Sequence, residues 1–546
     1  MVANAAESLL AMCDDVCFTH TETGTVMAAA DFRLLPSANS DKGGHFDDIG
    51  AIGKTITPEI VIVLCGPMGT PLHDVAKTFK ELLLGTDYGY QKVNVIRLSE
   101  EIRKQKSLVG EKSIRKLIEA GNELRAEFGN EILARFAIRQ ITVEREKAQL
   151  AAEVIPEPDL FEVEAPAVIP KVTVRYCHII DSIKHVDELK LLRSIYGDML
   201  YVVGVYSPIE LRIAKLERSK GPDDQVHDLI DRDSGEEIDH GQRVEDTFPQ
   251  ADFFLRVEKT TDTHRKGRVK RFLDLMLGTV IATPTLNERA MYAAFSAARN
   301  SACLSRQVGA AITSADGEIL ATGWNDVPKA FGGLYQTETY SSSPDEDRRC
   351  WNLEGGRCSN DREKRAISNA IVDLLVGEKL IDEDKRDQVY RVIRKKSQLK
   401  SLIEFSRAVH AEMHALLSAG STDGRKIRGG KLFVTTYPCH SCARHIVAAG
   451  VHEVYFLEPY RKSLATKLHE DAITENENDV TKVRVMPFDG VAPSRFLRFF
   501  SAHPKGRKNA DGEMHSREAH PVASVTIEAI PTLESLIVKG LSSRGL

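Results

Sequence analysis

Two short stretches hold residues whose types and spacing can do chemistry, His410-Ala411-Glu412 and Pro438-Cys439-His440-Ser441-Cys442. Zinc takes imidazole nitrogen and thiolate sulfur in a tetrahedral shell. His410, Cys439 and Cys442 supply three such ligands, which leaves a fourth position for water. Zinc draws the pKa of that water toward neutrality, so that it can attack an amidine carbon. Loss of ammonia then needs a group that moves protons. Glu412, two residues past the imidazole, can reach the water without binding the metal.

H-x-E followed by P-C-x-x-C is the signature of zinc-dependent nucleobase deaminases. A lone C-x-x-C also suits a structural zinc knuckle or a redox pair, but both leave His410-x-Glu412 unexplained. His410 and His414 share the i, i+4 spacing of a zinc-protease helix. That motif needs glutamate directly after the first histidine, where Ala411 stands, so His414 is expected to be a packed or solvated helical residue.

The elements that must position these residues are legible around them. Met413, Ala415, Leu416 and Leu417 favour a helix that starts near His410. Residues 431–436 read as a strand, 439–449 as a helix closed by Gly450, and 453–457 as the next strand. In this β-α-β unit both cysteines sit in the first turn of a helix, where the positive helix end favours thiolates.

At 546 residues, two or three domains are expected. Apolar residues make up 42% and charged residues 28%, which suits a globular chain and excludes a disordered one. A net charge of −6 provides no global attraction to nucleic acid. No apolar run approaches a membrane span, and Met1 to Asp14 lacks the basic flank of a signal peptide. Nine scattered cysteines point to a reducing, cytoplasmic setting.

Residues 1–57 form an extension of unclear structure, and Gly53-Lys54-Thr55 within it is read as a chance match to a phosphate-binding loop. Residues 60–64 form a buried strand that enters Cys65-Gly66-Pro67-Met68-Gly69-Thr70-Pro71, and residues 75–84 look helical. A strand, glycine turn and helix make the scaffold of a P-loop domain, and Gly66, Gly69 and Asp181 are candidate phosphate-site residues. The side chains depart from the pattern. With Gly66 as the first glycine, Pro71, Leu72 and His73 hold the positions of the glycine, lysine and hydroxyl. A long helical stretch over 117–141, strands at 176–180 and 199–205, and a helix with Arg212 and Arg218 argue for a parallel sheet covered by helices. Residues 58–265 resemble a deoxynucleoside monophosphate kinase with a degenerate loop, a three-layer α/β domain whose role is non-catalytic. The proline-rich, acidic segment 148–171 reads as an exposed insertion.

The second half, residues 280–505, opens with a helix at 287–302. Ser305-Arg306-Gln307-Val308-Gly309-Ala310 enters a hairpin turned by Asp316-Gly317, and Gly323-Trp324-Asn325-Asp326-Val327-Pro328 ends it. This resembles the deoxycytidylate deaminase family, in which a Q-V-G-A stretch and a G-Y-N-G-x-P loop occupy these places. Here Trp324 replaces the tyrosine and Asp326 the second glycine. The resemblance implies a cytidine-deaminase-like α/β/α domain with a mixed sheet, and substrate contacts from Asn325, Ser305, Arg306, Gln307, Gly309 and, beyond the zinc unit, Tyr460. A turn-forming role for Asn325 stays open. Cys350 and Cys358 could hold a second zinc. With two ligands and no nearby histidine they are read as free thiols. Helices are expected at 366–376 and 380–400, and the 506–546 tail carries a β-rich patch at 522–530 and a short amphipathic helix.

Together the halves resemble the two-domain antiviral deoxycytidine nucleotide deaminases of bacteria. That resemblance implies hydrolysis of dCTP or dCMP to dUTP or dUMP, depletion of the pool during phage infection, and an inhibitory small RNA or protein partner. It also implies an allosteric deoxynucleoside triphosphate and a homo-oligomer such as a hexamer. Two other readings remain. One is a deaminase of cytosine or adenine in single-stranded nucleic acid, which the 6% aromatic content and lack of aromatic-basic interleaving disfavour. The other is a nucleotide-sensing protein with structural zinc.

Overall fold

The computed structural model describes residues 56–152, 175–219, 225–226, 229, 243–257, 262–337, 347–353, 355–459, 463–502, 506–514, 517–523, 525 and 529–544. Gly53-Lys54-Thr55, Tyr460 and most of the 148–171 insertion lie outside these residues. Residues 52–546 form one compact unit that holds two six-stranded sheets.

The first sheet is built on β1 (Ile60–Cys65), all six of whose residues are buried. Such an unbroken apolar run is what a strand covered on both faces requires. The strand order is β12-β5-β4-β1-β3-β2, with β2 (Lys92–Arg97), β3 (Tyr176–Ile183), β4 (Leu200–Tyr206) and β5 (Phe253–Arg256) parallel to β1 or its neighbours. The helices 132–152 and 186–196 pack on one face, and the helices 72–83 and 262–277 on the other. The expected 117–141 helix is two helices, Ile114–Phe128 and Ile132–Ala152, broken at Gly129, whose φ of 106° is incompatible with helix continuation.

The second sheet is mixed, in the order β10-β11-β9-β8-β6-β7. Its hairpin β6 (Gly309–Thr313) and β7 (Ile319–Trp324) turns at Gly317, and β6 pairs antiparallel with β8 (Lys431–Thr436). β9 (Glu453–Glu458) runs parallel to β8 and to β11 (Val483–Pro487), which carries β10 (Ile473–Thr474) at its edge. The Leu286–Ala298 helix covers one face, and the Ala411–Asp423 and His440–Ala448 helices the other, an α/β/α arrangement.

The halves are not joined by a linker alone. β12 (Gly490–Val491), far along the chain, pairs antiparallel with β5 and extends the first sheet. One continuous core includes Val61 and Val63 of the first sheet, Ala311, Phe433 and Leu457 of the second, and Met291 and Ala294 of the helix between them. In the tail, the Ile530–Ser542 helix docks on the 132–152 helix. The expected β-rich patch forms no strand among the described residues. The Val522 and His520 amides donate instead to the Met276 and Leu277 carbonyls at the end of the 262–277 helix.

A buried ion cluster anchors this docking. The Arg145 guanidinium donates to both carboxylate oxygens of Glu59 and to Glu534, and Glu534 also accepts from the Tyr196 hydroxyl at 2.8 Å. Burial pushes the Glu59 carboxyl up, but hydrogen bonding from His178 and the Arg145 charge outweigh it and hold Glu59 down to about 2. Removing one member strands the others in a low dielectric. Arg145→Met is therefore expected to destabilise the fold by about 3–5 kcal/mol, read as a shifted denaturant midpoint. Because the Glu59 pKa is lower folded than unfolded, its contribution is complete above 4.5 and disappears as pH falls toward about 2. Acid unfolding of the wild type is expected to steepen in that window and to be blunted in Glu59→Gln.

Candidate active site

His410 occupies the N-cap of the 411–423 helix, with extended backbone at φ −74° and ψ 152°. Cys439 occupies the N-cap of the 440–448 helix and its Sγ accepts from the Cys442 amide at 3.4 Å. The His410 Nδ1 lies 3.3 Å from the Sγ of Cys439 and 3.3 Å from that of Cys442. The ligand atoms all fall within 4.8 Å of one another. Both thiols are buried, and Glu412 is only 4% exposed.

Charge behaves accordingly. Hydrogen bonding from Cys442, with further help from His410 and against the cost of burial, draws the Cys439 thiol down to about 4. Its thiolate in turn lifts His410 to about 9, through their hydrogen bond. Cys442 is pushed well above its usual range by the Cys439 hydrogen bond and by burial, and burial raises the Glu412 carboxyl. Two thiols and an imidazole so close together suit a tetrahedral cation, which would relieve this crowding by holding both sulfurs as thiolates. The donor set fits zinc.

Steric contact between backbones sets where the His410 helix lies. Ala411, Ala415 and Ala419 form its buried stripe, and they face Gly323 of β7. A Cβ at Gly323 would lie 2.3 Å from the Ala415 nitrogen and 2.4 Å from the Ala411 oxygen. On the opposite face of the sheet, a Cβ at Gly309 would lie 1.9 Å from the Ala294 oxygen. Gly309 is thus occupied in helix packing, and its amide donates to Thr435 Oγ1 at 3.1 Å.

β7 ends in the predicted substrate loop. The Val409 amide donates to the Asp326 carbonyl at 2.9 Å, so this loop runs beside the residue that precedes His410. Asn325 is buried, and its side chain braces the 301–308 segment. Its Oδ1 accepts from the Val308 amide at 2.7 Å and its Nδ2 donates to the Arg306 carbonyl at 2.8 Å. Gln307 donates to the Ser301 carbonyl at 2.8 Å and accepts from Arg299 at 3.2 Å. Arg306 and Ser305 are exposed, Arg306 at 3.8 Å from Glu458 and Ser305 at 3.6 Å from the Cys358 sulfur. Cys350 meets Ser359 at 3.6 Å, and neither Cys350 nor Cys358 belongs to a set of three close ligands among the described residues. Gly66, Gly69 and Asp181 lie at the carboxyl edge of the other sheet, on or beside β1 and β3.

Sequence reading missed three supports of this site. His414 Nδ1 accepts from the Trp324 amide at 3.1 Å, and the two rings meet edge to face at 4.6 Å. Burial keeps the His414 pKa low, as an acceptor nitrogen requires. Asp326 accepts from the Ala302 amide at 3.0 Å and lies 3.7 Å from Arg349, a buried residue of the segment between β7 and the 411–423 helix. Tyr437, just before the cysteine turn, donates to Glu475 at 2.9 Å. The substitution of aspartate for glycine at 326 was the one visible signal. Nothing near Arg349 in the sequence marks its partner.

A family model, the cytidine and deoxycytidylate deaminase zinc-binding region, matches residues 284–458. Over this segment the chain is similar to cytidine and deoxycytidylate deaminases. ComE operon protein 2 of Bacillus subtilis is 40% identical over 68 residues, which are 12% of this chain and 35% of that protein. Human deoxycytidylate deaminase is 33% identical over 64 residues, 12% of this chain and 34% of the relative. The chain thus spans about a third of these relatives' length. The deoxycytidylate deaminase of Enterobacteria phage T4 is 28% identical over 172 residues, 31% of this chain and 76% of the phage protein. Among solved structures, the apo dCMP deaminase of cyanophage S-TIM5 aligns over 38% of this chain and 100% of its own, at 20% identity and a TM-score of 0.21.

The glycine contact between β7 and the 411–423 helix can be tested directly. Gly323→Ala is expected to push the 411–423 helix away from β7, cost about 1–3 kcal/mol and lower the zinc content of the purified protein. Gly267→Ala, where an added Cβ meets nothing within 4 Å, should retain its metal.

Proposed function

We propose that the protein hydrolyses the 4-amino group of free deoxycytidine nucleotides, dCMP or dCTP, to give the uracil nucleotide and ammonia. The observation that carries this reading is the convergence of His410, Cys439 and Cys442 within 4.8 Å, with the buried Glu412 two residues along. His410 Nδ1 and the two thiolates would hold zinc. Bound there, the metal supplies Lewis acidity and an activated water.

This chain's residues supply the proton transfers. Glu412 is the proton carrier, and burial raises its pKa above the ordinary carboxylate value. As carboxylate it accepts a proton from the attacking water. As acid it returns that proton to N3 of cytosine, and it then carries the second proton, from the new C4 hydroxyl, to the amine, which leaves as ammonia. Across the reaction the C4–N bond breaks, a C4–O bond forms and one water is consumed. Asn325 braces the 301–308 loop, and the exposed Arg306, 3.8 Å from Glu458, would turn to the nucleotide's phosphates.

The N-terminal half is read as a nucleotide-kinase-like scaffold without kinase activity. Emptying of the deoxycytidine nucleotide pool during phage infection, under control of a silencing partner, is the biological setting proposed with this activity.

Incubation of purified protein with dCMP, dCTP and a cytosine-containing oligonucleotide, followed by chromatography of the products, tests the reading. Uracil products are expected from the free nucleotides, and turnover of the oligonucleotide alone would overturn the substrate class. Glu412→Gln is expected to lower kcat by about 10²–10⁴-fold while zinc content is retained. A chelator should abolish turnover, and added zinc should restore it.

A further inference from the structure

A cleft of about 500 Å³ lies between the two halves of the chain. One wall comes from the first half: Arg193 of the 186–196 helix, with Asp252 and Phe254 at β5. The other comes from the second half: Phe295 of the 286–298 helix, Leu457 of β9, and Ala492 and Arg495 after β12. Leu457 belongs to the core that includes the 286–298 helix, whereas Cys439 and Cys442 belong to the core on the opposite face of that sheet. The cleft is therefore separate from the metal-ligand cluster.

Its floor is apolar, with Phe254, Leu457 and Ala492 all buried. Charge enters around Asp252, which is 2% exposed. The Asp252 amide donates to the Val202 carbonyl at 2.7 Å, and the Asp252 carbonyl accepts from the Ala492 amide at 3.0 Å. Its Oδ2 accepts from the Val202 amide at 2.8 Å. These bonds fix the carboxylate and leave Oδ1 to two guanidinium groups. Arg193 Nη2 donates to Oδ1 at 3.2 Å, and Arg495 Nε donates to it at 2.7 Å.

Two arginines on one carboxylate oxygen leave a positive charge unanswered. Asp198 does not supply the difference. Arg498 donates to both of its oxygens, and Arg495 Nη1 reaches it only at 3.3 Å. Among the described residues, the Arg193 bonds leave from Nη2, to Asp252 and the Gln250 carbonyl, and those of Arg495 from Nε and Nη1. Nε and Nη1 of Arg193 and Nη2 of Arg495 are left to meet a ligand. The two side chains are 31% and 14% exposed, so a molecule entering the cleft can reach them.

We infer that this cleft binds a small carboxylate with an apolar body, such as an aryl carboxylate. Pockets of about 300–1,000 Å³ that are mostly apolar, with a few fixed polar groups, hold ligands of that size and favour domain interfaces. The guanidinium groups pair with the carboxylate, and the body covers Phe254, Phe295 and Leu457. The charged residues lining the cleft are two arginines and one aspartate, which match a single negative charge. A phosphate chain would set several negative charges against that one positive charge and is disfavoured.

Saturation-transfer NMR of the full chain with 2-naphthoate and, separately, with its neutral counterpart 2-naphthamide tests this without reference to deamination. Naphthoate is expected to bind, and naphthamide to bind at least about tenfold more weakly. Arg193→Gln should weaken naphthoate binding at least about tenfold. Ser494→Glu, at an exposed lining residue, should weaken it likewise by adding negative charge at the rim. No binding of naphthoate, equal binding of the two compounds, or undiminished naphthoate affinity in a folded variant would overturn the proposal. Ser494→Glu decides even if Arg193→Gln fails to fold.

Discussion

Direct contact between backbones, with no side chain between them, organises the C-terminal half. The second sheet is pressed from one face by the 286–298 helix at Gly309 and from the other by the 411–423 helix at Gly323. Backbone atoms are stiff, and no rotamer can absorb an added methyl at either place. The alanine stripe at 411, 415 and 419 lets the helix settle against β7. Its first turn then comes to the end of β7, where the Val409 amide bonds to Asp326. A ligand set that tolerates errors of only a few tenths of an ångström needs supports of this kind.

Among the described residues, several buried charges are answered by opposite ones. Arg145 lies between Glu59 and Glu534, Arg125 pairs with Glu188 at 2.9 Å, and Arg349 joins Asp347 and Asp326. The metal-ligand cluster is the exception. Its thiols and imidazole shift one another's proton affinities strongly, and Glu412 is buried beside them. Polar groups that convert poorly into structural ion pairs are what a reactive centre is expected to contain.

Local structure was readable where one type of information sufficed. The strand at 431–436 lies where its apolar and β-branched residues predict it, and the His440–Ala448 helix falls within the 439–449 stretch expected for it, with Cys439 as its cap. The helix expected over 380–400 shrinks to Arg386–Lys396, because its exposed, charged turns bury no face that would extend it. The patch at 522–530 has strand-like composition, yet its Val522 amide bonds the end of a helix far back in the chain. Asn325, expected at the substrate, spends its amide on the 301–308 loop, and so shapes the site through its neighbours. None of these partners is visible in residue types, since each is chosen by packing.

By itself the sequence determined the chemistry: one imidazole, two thiols and one carboxyl group, each placed at or just inside the start of a helix. Those assignments depend on spacings of two and three residues, which helix geometry converts directly into position. Tertiary structure alone decided that His410 meets cysteines 29 and 32 positions away, and that Arg349 reaches Asp326. It also decided that Gly490–Val491 completes the sheet begun by Ile60. Contacts of that span are selected by the packing of whole sheets and helices, because no local hydrogen-bond period extends so far along the chain.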